Sequence, residues 1–78
     1  MTIKELLIEY EHSLSLIENR ILQLKPLLDI YMSSYNLKEL YYTRKKIKIY
    51  EDMKLELLMT IKQLKNYIKE KDDEQDNI

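Results

Sequence analysis

The chain has 78 residues, with 13 Lys and Arg against 14 Asp and Glu, one Pro, and no Cys, Gly or Trp. This length allows one small domain, and the absence of Cys excludes disulfides and thiolate metal sites. Without Gly, tight β-hairpins and phosphate-binding glycine loops are unfavourable, so helices are the elements that the composition favours.

The first predicted element is a helix over about residues 3–32. Thr2 and Glu5 form a capping-box pattern, which predicts that the helix begins at Ile3. Apolar residues then recur at alternating spacings of four and three, which is typical of the buried seam of a coiled coil. This seam consists of Ile3, Leu7, Tyr10, Leu14, Ile17, Ile21, Leu24, Leu28 and Tyr31. Because the seam keeps its phase past Pro26, we predict one helix kinked at this proline.

A turn is predicted at residues 33–36, where two serines, a tyrosine and an asparagine interrupt the pattern. Asn36 and Glu39 then provide a second capping signal, so the second helix is predicted over about residues 37–69. Its seam consists of Leu40, Thr43, Ile47, Tyr50, Lys54, Leu57, Ile61, Leu64 and Ile68.

The sequence therefore predicts an all-α fold, a coiled-coil-like antiparallel helical hairpin over residues 1–71. Residues 72–78 carry dense negative charge without apolar periodicity, and we expect a disordered acidic tail there. Lys54 occupies a seam position, and antiparallel pairing places it near Glu11 and Glu18, so an ion pair with one of them is expected.

Two helices cannot cover all the apolar residues of this chain. Tyr42, Ile49 and Met53 form a strip beside the second seam, while Leu55 and Met59 lie nearly opposite it. These five residues are the candidate interaction surface. They predict a homodimer that forms a four-helix bundle, and a further protein partner.

Basic residues are concentrated at the start of the second helix. Residues 37–48 include five basic side chains and one acidic. Arg44, Lys45, Lys46 and Lys48 are therefore candidate nucleic-acid contacts, since a cationic patch beside tyrosines can bind phosphates and stack on bases. Adjacent cations spread around a helix, however, which favours the alternative of a solvated basic strip.

No catalytic, cofactor-binding or metal-binding residue is predicted. His12 is the only histidine, and Glu9 and His12 have the Glu-x-x-His spacing found in di-iron bundles. The metal ligands of such bundles project inward, whereas His12 lies far from the seam. No second histidine is present to complete a catalytic site. We therefore expect a protein that is not an enzyme and has no cofactor.

Residues 44–67, with alternating basic and aliphatic positions, resemble small helical proteins of phages and mobile elements in low-GC Gram-positive bacteria. The resemblance implies a regulatory or adaptor role. The sequence thus predicts a helical protein–protein interaction module, and the alternative is a nucleic-acid-binding accessory factor that uses residues 44–48. No apolar run approaches the ~18 residues of a membrane span and no secretion signal is recognisable, so we expect a cytoplasmic location and no membrane contact.

Overall fold

The computed structural model describes residues 2–76, and it describes side chains as far as Lys71. Helix α1 spans Ile3–Ser33 and helix α2 spans Leu37–Asp76. The two helices pack side by side in opposite directions, with overall Cα dimensions of 66 × 16 × 15 Å. No strand occurs in the described part of the chain, so the prediction of an all-helical hairpin is confirmed.

The start of α1 forms the predicted capping box. The backbone N–H of Glu5 donates to Thr2 Oγ1 at 3.1 Å, and the backbone N–H of Thr2 donates to Glu5 Oε2 at 3.4 Å. Two amides that a helix start would leave without a partner are thereby satisfied. The helix begins at Ile3 as a result.

Helix α1 continues through Pro26 to Ser33, so the proline does not end it. Proline has no backbone N–H, and the carbonyl of Leu22 therefore receives no helical hydrogen bond from residue 26. The helix tolerates this loss because the seam residues on both sides, Leu24 and Leu28, pack against α2. The predicted kink at Pro26 stays a prediction.

The turn is built from backbone hydrogen bonds around a left-handed residue. Tyr35 has φ 56°, its N–H donates to the carbonyl of Met32, and the N–H of Asn36 donates to the carbonyl of Tyr31. This is the Schellman arrangement, in which glycine usually supplies the left-handed position. Asn36 Oδ1 then accepts from the N–H of Glu39 at 3.5 Å and begins α2 as predicted.

The core lies along the two predicted seams. The described residues with less than a tenth of their surface exposed are Ile21, Leu24, Leu40, Thr43, Ile47 and Ile61, and all six are seam positions. The other seam residues are partly buried, except Ile3 at the open end of the hairpin. None of the described side chains is completely buried, which is the expected result for a core only two helices thick.

Helix α2 is longer than predicted. It extends to Asp76, seven residues past the expected end near Lys69, and so includes residues 72–76 of the expected disordered tail. The segment contains no Pro or Gly, the two residue types that disfavour a helix most strongly. The remaining tail residues, 77 and 78, lie outside the described residues.

Lys54 is partly buried at its seam position, but the expected ion pair is absent. Glu11 pairs with Lys65 instead, at 3.5 Å between Nζ and Oε1. Neither Glu18 nor any other described carboxylate lies within 4.0 Å of the Lys54 ammonium. The prediction was wrong because it paired residues directly opposite each other. Long side chains such as lysine extend along the helix and can contact residues several positions away on the other helix.

Within residues 2–76, neither helix has a stretch long and apolar enough to span a membrane.

Candidate functional site

One broad face of the hairpin carries ion pairs between the helices. Lys25 Nζ lies 3.9 Å from Glu51 Oε1, and Lys65 Nζ lies 3.5 Å from Glu11 Oε1. All four side chains are about half exposed. We call this side the ion-paired face, because these four charges pair between the helices of one protomer.

The other broad face carries a shallow groove between the helices. On this face, α1 contributes Ser13 and Arg20, each of which directly precedes a seam residue. On the ion-paired face it contributes Glu11 and Lys25, each of which directly follows one, so the two faces lie on opposite sides of the α1 seam. The part of the groove farther from the turn is lined by Tyr10, Ser13, Ile17, Met53, Glu56, Leu57 and Thr60. The part nearer the turn is lined by Arg20, Lys46, Ile49, Tyr50 and Met53. Met53 lines both parts, and we call this side the groove face.

The structure divides the five predicted interaction residues between two surfaces. Ile49 and Met53 line the groove, and Tyr42 lies seven residues before Ile49 on the same side of α2. Leu55 and Met59 line neither part of the groove and lie on the outer side of α2. Met53 is 43% exposed and Met59 is 64% exposed. These two methionines therefore lie on different surfaces of the same helix.

The charges of the groove face are separated along its length. Arg20 and Lys46 line the part nearer the turn, whereas Glu56 lines the part farther from it. None of the three belongs to an ion pair among the described residues. Arg20 Nη1 donates only to the neutral Gln23 Oε1, at 3.3 Å. The groove lining therefore contains two cations and one carboxylate that belong to no ion pair among the described residues.

A second apolar surface, missed by the sequence analysis, runs along the outer side of α1. Ile8, Leu16, Leu22 and Ile30 are each more than half exposed, and their spacings of eight, six and eight keep them on one side of the helix. The residues between them on that side are uncharged or histidine, namely His12, Ser15, Asn19, Gln23 and Pro26. We call this surface the outer strip. Its charge-free composition is the signal that could have identified it.

The basic segment does not form one patch. Lys46 lines the groove, Lys45 Nζ lies 6.0 Å from the ring centroid of Tyr41, and Lys48 Nζ lies 3.9 Å from Asp52 Oδ2. Arg44 is exposed. Because successive residues are about 100° apart around a helix, these four cations point in several directions.

His12 and Glu9 are both exposed on α1. Across the described residues, no group of three or more His, Asp or Glu side chains is arranged to hold a metal ion. The groove face is accordingly the candidate site that the geometry defines best.

No protein-family model, curated protein or solved structure matches this chain.

Proposed function

We propose that this protein is a helical protein–protein interaction module without enzymatic activity, and that two copies associate through the groove face to form a four-helix bundle. The observation that carries the proposal is the difference between the two broad faces. One face has two ion pairs between the helices, whereas the other has an open groove whose charged lining residues belong to no ion pair among the described residues.

The energetics of burial support the association. Tyr42, Ile49 and Met53 each keep more than two fifths of their surface exposed, and burying this remaining part contributes about 1 kcal/mol for each side chain, roughly half the value for full burial. A stable interface typically buries about 800 Å² on each partner, and a hairpin face of 66 × 16 Å is large enough to supply it. A second copy would thus complete a core that two helices leave thin.

A regulatory or adaptor role is proposed from the resemblance of residues 44–67 to small helical proteins of phages and mobile elements. In a dimer joined by the groove faces, the outer strip of α1 points away from the interface. It remains accessible at both edges of the bundle, and so does the outer side of α2 with Leu55 and Met59. These surfaces are the ones that a different protein partner could contact.

Two matched variants test the proposed dimer. Met53→Lys places a third cation beside Arg20 and Lys46 in the groove lining, and we expect it to convert the dimer to a monomer in sedimentation equilibrium, because the ammonium would be buried among like charges. Met59→Lys introduces the same residue on the outer side of the same helix, and we expect the dimer to persist. Circular dichroism would establish that both variants keep their helix content. Equal masses for the two variants would contradict the assignment of the groove face.

Nucleic-acid binding through Arg44, Lys45, Lys46 and Lys48 is less well supported, because Lys48 is paired and the others point in different directions. A contribution from these residues would appear as an affinity for random-sequence DNA that falls steeply as salt rises.

A further inference from the structure

A patch of exposed apolar and aromatic side chains lies around the turn of the hairpin. Within ten positions of the chain, four large residues are each more than half exposed, namely Met32, Tyr35, Leu37 and Tyr41. We call them the turn-end patch. Tyr35 lies in the turn itself, and Tyr41 lies one helical turn beyond Leu37 on the same side of α2. None of the four lines either part of the groove, so the patch lies outside the proposed dimer interface.

Cations lie behind this patch along the hairpin. Arg44, Lys45 and Lys46 point in different directions around α2, yet all three lie about 10–14 Å beyond Leu37 along the helix axis, at a rise of 1.5 Å per residue. None of the three belongs to an ion pair among the described residues. They therefore form a ring of charge at one depth behind the tip.

Few carboxylates oppose this charge. Residues 29–48 include five cations but only two carboxylates, Asp29 and Glu39. Glu39 lies about 200° around α2 from Leu37, and Asp29 lies five helical turns after Glu11, on the ion-paired side of α1. The turn end therefore combines an apolar tip with a net positive charge.

We propose that the turn end contacts the surface of a bilayer that contains anionic lipids, with the long axis of the hairpin pointing away from it. An apolar surface that binds a bilayer is typically buried about 5–10 Å into the headgroup region, and tyrosine is favoured at this boundary. At that depth the ring of cations lies near the lipid phosphates. Cations that point in several directions do not form one patch for a nucleic acid, whereas a bilayer surface surrounds the tip on all sides.

This contact goes beyond the proposed function and does not rest on the dimer. It replaces the expectation of no membrane contact, because a tip that rests in the headgroup region needs no membrane-spanning stretch, and residues 2–76 contain none. An acidic protein surface would match the same charges. A bilayer fits better because the patch is the convex end of a rod about 16 Å across, and lipids accommodate such a tip without a matching cavity.

The experiment uses a single tryptophan as a probe of depth, since the chain has no Trp. Leu37→Trp places the probe in the turn-end patch. Leu55→Trp is the matched control, because Leu55 lies five full helical turns later on the same side of α2 and is 60% exposed, against 67% for Leu37. Fluorescence is measured with vesicles of phosphatidylglycerol and phosphatidylcholine, and with phosphatidylcholine alone, including lipids brominated on their acyl chains as quenchers. Circular dichroism would establish that both variants keep their helix content.

We expect the Leu37→Trp emission to move to shorter wavelength and to be quenched with the anionic vesicles at low salt, and the Leu55→Trp emission to do neither. Quenching of both probes would mean that the hairpin lies flat on the bilayer, which overturns a contact through the tip. An equal response to phosphatidylcholine alone would overturn the role of the cations. No response from Leu37→Trp would overturn lipid contact altogether and leave an acidic protein surface as the occupant that fits the patch.

Charge reversal provides a second measurement. Arg44→Glu should weaken binding to the anionic vesicles by about tenfold or more, since each basic residue near such a surface contributes about fivefold and the variant changes two charges. Lys62→Glu makes a similar change in net charge at the same angle around α2, but more than about 35 Å from Leu37, several times the Debye length. It should weaken binding by less than about twofold. Equal losses for the two variants would contradict a contact through the turn end.

Discussion

At the scale of single residues, Tyr35 shows how this chain makes a helix stop without glycine. Its φ of 56° places it in the left-handed region, where a side chain with a Cβ is crowded by the neighbouring carbonyl. The hydrogen bonds from Tyr35 to Met32 and from Asn36 to Tyr31 hold this conformation. The tyrosine side chain itself is 86% exposed and contributes little packing in return.

We therefore expect Tyr35→Gly to raise the free energy of unfolding by about 1 kcal/mol, because glycine adopts this conformation without steric cost. Urea denaturation at a fixed chain concentration would measure the change. Gln23→Gly, on an exposed position inside α1, should lower the free energy of unfolding by about 0.5–1 kcal/mol. A lower stability for Tyr35→Gly would show that the exposed tyrosine contributes an interaction that the turn geometry does not reveal.

At the scale of elements, Pro26 is the unusual feature of α1. A proline inside a helix removes a hydrogen bond and costs about 3 kcal/mol, yet the helix is continuous from Ile3 to Ser33. The proline is tolerated because it lies on the exposed side of α1, where its ring does not disturb the contact with α2.

Pro26→Ala should accordingly raise the free energy of unfolding by about 1–3 kcal/mol, since alanine restores the N–H donor and is the best helix former. Gln23→Ala, one turn earlier on the same side, should change it by less than about 0.5 kcal/mol. Thermal or urea unfolding followed by circular dichroism would give both values. An unchanged stability for Pro26→Ala would mean that α1 gains nothing from the restored donor.

The helices, the turn and the seam could be predicted from sequence because each depends on local signals. Thr2 and Glu5 start α1, Asn36 starts α2, and the spacings of three and four identify the buried side of each helix. The partner of Lys65 could not be predicted in this way, because it depends on how two antiparallel helices align and how far long side chains reach. The end of α2 was missed because apolar periodicity stops before the helix does.

The candidate site was predicted only in part, for a related reason. Tyr42, Ile49 and Met53 were identified as a strip on α2, but the groove also needs Ser13, Ile17 and Arg20 from α1. A pattern within one helix does not show which side of the other helix adjoins it. The outer strip of α1 was missed because its members are separated by six or eight residues and are interspersed with polar side chains.

At the scale of the whole molecule, the hairpin is a long, thin structure whose two broad faces differ. A single copy leaves the groove face open, with apolar and charged side chains in its lining. In the proposed dimer, a second copy would cover the groove and leave the outer strips of both copies accessible. The protein would then act through surfaces presented by a four-helix bundle.

The central claim is that the unmodified chain forms this dimer, and sedimentation equilibrium over a wide range of concentration tests it most directly. The measurement should be made at low and high salt, with and without a random-sequence DNA duplex. We predict twice the mass of one chain, unaffected by DNA. The mass of a single chain at every concentration would contradict the account, and a monomer that binds DNA only at low salt would assign the function to the basic segment instead.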